Sequence, residues 1–81
     1  MRADICDPSD EVGIERFKDT LQQLGAASVG KSWAIGVDVL ELQIGPDVLT
    51  VFSDAWSVDV EGPEHLVQRV LQLLGKSGTA T

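Results

Sequence analysis

The chain has 81 residues, thirteen acidic and six basic, giving a formal net charge of −7, and it carries one cysteine. That length allows one domain burying roughly 60–65% of its unfolded surface, and a lone cysteine excludes an internal disulfide framework. The charge excludes the clustered Lys and Arg that binding to nucleic acid or an anionic membrane requires, so plain solubility or a basic partner remains.

In chain order, residues 1–6 read as a flexible N-terminal segment, 7–75 as a single α+β domain and 76–81 as a disordered tail. No apolar h-region follows Met1-Arg2-Ala3-Asp4, and the longest apolar runs are far short of a membrane span. The expectation is a soluble cytoplasmic protein.

Asp7-Pro8 has the composition of a helix start, with Asp7 as N-cap and Pro8 at the first helical position. Ile14, Phe17, Leu21 and Leu24 then recur at helical spacing, and Gly25 suits a left-handed stop, so a helix is predicted over 8–24. Gly13 near its start is a small cost to that helix.

Gly25-Ala26-Ala27-Ser28-Val29-Gly30-Lys31-Ser32 spells the phosphate-loop pattern G-x-x-x-x-G-K-[ST]. A phosphate loop needs a strand before it and a helix after it, so that the N–H groups of the new helix meet the phosphates. Here a helical pattern precedes and a β-rich run follows. The stretch is therefore expected to be a polar connection, with nucleotide binding at Lys31 and Ser32 as a minor alternative.

From Trp33 the chain alternates with period two, and three strands are predicted. Trp33, Ile35, Val37 and Val39 share one phase, while Leu40, Leu42 and Ile44 take the other, which predicts a bulge or bend at Val39-Leu40. Gly45-Pro46-Asp47 is a turn, Val48 to Phe52 a second strand, Ser53-Asp54-Ala55 another turn, and Trp56 to Glu61 a third strand. Gly62-Pro63-Glu64 then starts a second helix whose apolar face is Leu66, Val67, Val70, Leu71 and Leu74, closed by Gly75. The predicted fold is α-β-β-β-α, with two helices packed on one face of a three-stranded antiparallel meander.

Catalytic groups are scarce. Cys6 and His65 are the one thiol–imidazole pair, and they need a third group and close approach to act. Asp38, Glu41 and His65 have no recognised metal spacing, so no catalytic residue, cofactor or metal is assigned.

Charge is distributed unevenly. Between Ser32 and Gln68 lie seven acids and no Lys or Arg. If that segment is one sheet, its outer face attracts a basic partner, with Asp38, Asp59, Glu61 and the aromatic Trp56 as candidate contacts. Val48, Thr50 and Phe52 leave the second strand apolar on both faces, so they form a candidate seam for self-association. The reading is a small acidic interaction domain, not an enzyme, with an inhibitor or antitoxin-like role among its uses.

Overall fold

The α+β expectation holds, but the antiparallel sheet has five strands where periodicity predicted three. The computed structural model describes residues 1–34 and 36–75, the side chains of Trp33 and Ala34 excepted. The order is β1 (Arg2–Cys6), α1 (Glu11–Gln23), β2 (Ala27–Ala34), β3 (Val37–Ile44), β4 (Asp47–Asp54), β5 (Val58–Glu61) and α2 (Glu64–Leu73). Across the sheet the strands lie β1-β5-β4-β3-β2, each antiparallel to its neighbour. β2 to β5 form a meander. β1 and β2 therefore run parallel at opposite edges, and α1 carries the chain from one edge to the other.

Two strands were hidden in the sequence. β1 occupies residues expected to be flexible. Its Ala3 and Ile5 alternate with Arg2 and Asp4, and Ile5 is 1% exposed in the core. The N-terminal amine also donates to the Gly62 carbonyl at 2.9 Å, and the Gly62 N–H donates to the Met1 carbonyl at 3.0 Å. β2 occupies most of the stretch expected to be a polar connection. Gly and Ser give it little strand propensity, so pairing along β3 decides its conformation.

The predicted bulge at Val39-Leu40 is absent. β3 pairs with β4 without interruption from Val37↔Asp54 to Ile44↔Asp47. The phase change is instead a change in which face carries the apolar residues, Val37 and Val39 on one side, Leu40, Leu42 and Ile44 on the other. The register shift falls in β2, between Ser28 and Gly30. Ile44 and Asp47 close a two-residue hairpin loop. Gly45 there has φ +60°, and the fixed negative φ of Pro46 completes the sign pattern of a type II′ turn.

Both helices end as composition predicts and start slightly differently. The N-cap of α1 is Asp10, not Asp7, and its carboxylate accepts the Gly13 N–H at 2.9 Å. A β-carbon on Gly13 would lie 2.5 Å from the same carboxylate, so glycine is what lets the cap close. At the other end Ala26 N–H donates to Leu21 and Gly25 N–H to Gln22, both at 3.0 Å, a Schellman closure with Gly25 at φ +73°. α2 begins after Pro63, and Arg16 of α1 donates to the Leu74 carbonyl at its far end, at 3.2 Å.

One face of the sheet makes the core. Ile5, Leu42, Ile44, Leu49, Val51, Val58 and Val60 meet Phe17 of α1 and Leu66, Val67, Val70 and Leu74 of the α2 region. Buried Thr20 is no defect, since its hydroxyl donates to the Arg16 carbonyl at 2.9 Å. Among the described residues, no helix is long and apolar enough to cross a membrane. Ile35 and the predicted tail over 76–81 lie outside the described residues.

Candidate protein-interaction face

Strand parity defines the second face. Residues alternating with the core positions are Val37, Val39, Glu41 and Gln43 on β3, and Val48, Thr50, Phe52 and Asp54 on β4. β5 adds Asp59 and Glu61, and β1 adds Arg2 and Asp4. The buried residues of both helices belong to the core on the opposite side. This face is open. Val37, Val39, Thr50 and Phe52 are half-buried by their neighbours alone, and Val48 is exposed.

The register arranges these groups in rows across the strands. One row runs Ser32, Val39, Phe52, Asp59, Asp4, and the next runs Gly30, Glu41, Thr50, Glu61, Arg2. Valine and phenylalanine thus sit between carboxylates. Gly30 pairs with Glu41, and a β-carbon built on it would make ordinary contact with that side chain, 3.7 Å from its Cβ.

The negative field has one interruption. The segment from Ser32 to Gln68 contains no Lys or Arg, but β1 lays Arg2 across it. The Arg2 guanidinium lies 4.4 Å from the Phe52 ring centre and 3.0 Å from Asp59 Oδ2. Burial pushes the Asp59 carboxyl up, but side-chain hydrogen bonds with Arg2, Ser57 and Asp4, together with the Arg2 charge, hold it below the usual 3.8. Asp4 stands directly opposite Asp59 in the register.

The sequence-derived contacts are only partly brought together. Asp59 and Glu61 lie on the open face with Val48, Thr50 and Phe52, so the two candidate surfaces are one. Asp38 has the parity of Leu40 and points to the other side of β3. Trp56 stands in the β4–β5 turn, 82% exposed. Asp54 Oδ1 accepts the N–H groups of Trp56 and Ser57, each at 2.8 Å, which fixes that turn. Sequence reasoning missed Arg2, Asp4, Glu41 and Asp54 as members of the face. The polar–apolar alternation over residues 2–5 was the available signal for the first two.

The chemical alternatives lose their geometric basis. Gly30, Lys31 and Ser32 lie inside β2, and the next element is β3, so no helix N-terminus follows to meet a phosphate. Cys6 is level with Val58 and Ser53, whereas His65 Nε2 is 2.8 Å from Asp47 Oδ2. Six residues of β4 separate those levels, about 20 Å, too far for a thiol–imidazole pair. Among the described residues, no group of three or more His, Cys, Asp or Glu side chains is placed to hold a metal ion.

No family model matches the chain, and neither a curated protein nor a solved structure shows detectable similarity to it.

Proposed function

We propose that this chain is a small, non-enzymatic interaction domain that captures a basic protein on its open sheet face, as an inhibitor or antitoxin-like binder would. The observation that carries the reading is the uncovered row of Val39 and Phe52 set among Asp4, Glu41, Asp54, Asp59 and Glu61. Apolar surface supplies burial at the centre of an interface, and the surrounding carboxylates steer and register a cationic partner. Five carboxylates against the single Arg2 leave the face strongly negative.

Self-association through Val48, Thr50 and Phe52 is the second reading, favoured by the exposure of Val48. A two-fold pairing of open faces opposes the same carboxylates to one another, which costs affinity. The basic-partner reading is therefore preferred.

Capture from a lysate of the source cell at low salt tests it, with wild type beside Glu41→Lys/Glu61→Lys. Both glutamates are exposed, so the variant should keep the core, which circular dichroism checks. The expected result is a basic protein held by wild type, released by salt and absent from the variant. Equal retention by both would refute the proposal.

A further inference from the structure

The open face already holds one arginine. Arg2 stands opposite Glu61 in the register, yet its guanidinium crosses to the Phe52 ring and to Asp59. A ring beneath and a carboxylate beside suit a planar, weakly hydrated guanidinium better than a compact ammonium.

A second aromatic residue and carboxylate lie two positions apart in the chain, where β4 leaves the same face. Asp54 occupies the open-face position opposite Val37, and its Oδ1 holds the backbone of Trp56 at 2.8 Å. The indole is 82% exposed. Among the described residues, the cation–ring contact is that of Arg2 on Phe52. Tryptophan is the best of the aromatic side chains for a cation, and an exposed tryptophan on a fixed turn is a natural anchor for a partner.

We infer that the open face recognises arginine side chains of a basic protein, with Arg2 filling the seat on Phe52 and Trp56 with Asp54 forming the seat left for the partner. The inference rests on the interaction reading above and adds the chemistry of the group recognised. Charge decides the occupant: a second copy of a chain with net charge −7 is repelled by this face, whereas a guanidinium is attracted.

The test uses the full chain and two fluorescent peptides, alike except that the arginines of one are lysines in the other. Affinities are measured by anisotropy at low salt for wild type, Trp56→Leu and Glu41→Gln/Glu61→Gln. Wild type should prefer the arginine peptide by about fivefold, and Trp56→Leu should erase that preference. Glu41→Gln/Glu61→Gln should weaken both peptides alike. A preference that survives Trp56→Leu overturns the arginine seat, while the interaction reading stands if the glutamine variant still weakens both. Unchanged binding of both peptides by the glutamine variant, or no binding by wild type, overturns both.

Discussion

Truncating Ile5 to alanine should remove a large share of the protein's stability. Ile5 is 1% exposed and joins the core from β1, the strand whose residues read as a flexible segment in the sequence. Ile→Ala at a fully buried site costs roughly 2–5 kcal/mol, about 3 at a central value. A domain of this size has only about 4–12 kcal/mol in total. With a urea dependence near 1 kcal/mol per molar, the denaturation midpoint should fall by about 3 M. Val12→Ala is the control, because Val12 is 71% exposed and its truncation should cost under about 0.5 kcal/mol. Urea titration followed by far-UV circular dichroism compares the two. If Ile5→Ala also costs less than about 0.5 kcal/mol, β1 does not belong to the core and the reasoning fails.

Gly13→Ala should lower stability instead of giving the roughly 1 kcal/mol gain usual inside a helix, because the new β-carbon meets the Asp10 cap; thermal melts give the sign. Asp59 sits below 3.8 when folded, so the unfolded chain binds its proton more readily. The stability it contributes is present above 3.8 and is lost as pH falls through the lower folded value, so wild type should lose stability in that acid range more steeply than Asp59→Asn. Equal slopes in denaturant titrations over that range would contradict the assignment. Gly45→Ala, at φ +60° with open space around the new β-carbon, should cost about 1 kcal/mol through backbone strain alone.

Legibility in the sequence followed the strength of local signals. The helices declared themselves through the Phe17 stripe and the glycine stops at 25 and 75, which are backbone requirements fixed within a few residues. β5 was clear from its alternation, and β4 from a run of strand-forming residues, Val48 to Phe52, between two turn signals. β1 was missed because five residues hold too few alternations, and its pairing partner β5 lies far along the chain. β2 was missed because Ser28, Gly30 and Ser32 lack strand propensity and a phosphate-loop spelling masked the pattern. The apparent phase slip at Val39-Leu40 came from assuming that the apolar residues of a strand share one face. β3 carries valines on the open face and leucines on the covered one. The same assumption assigned Asp38 to the acidic face, where its parity does not put it.

These misses bear on the open face most. Its acidic rim on β3, β4 and β5 was readable from the run of acids without Lys or Arg, but its depth was not. Only the β1–β5 pairing brings Arg2 and Asp4 onto it, and that pairing is a non-local event with no sequence signature of its own.

The most direct measurement is carboxyl footprinting of the chain alone and with any basic protein retained in the capture experiment. The account predicts loss of labelling at Glu41, Asp54 and Glu61, with Glu11, Glu15 and Asp19 of α1 unchanged. Protection confined to α1, with the open face labelled as in the free chain, would contradict it.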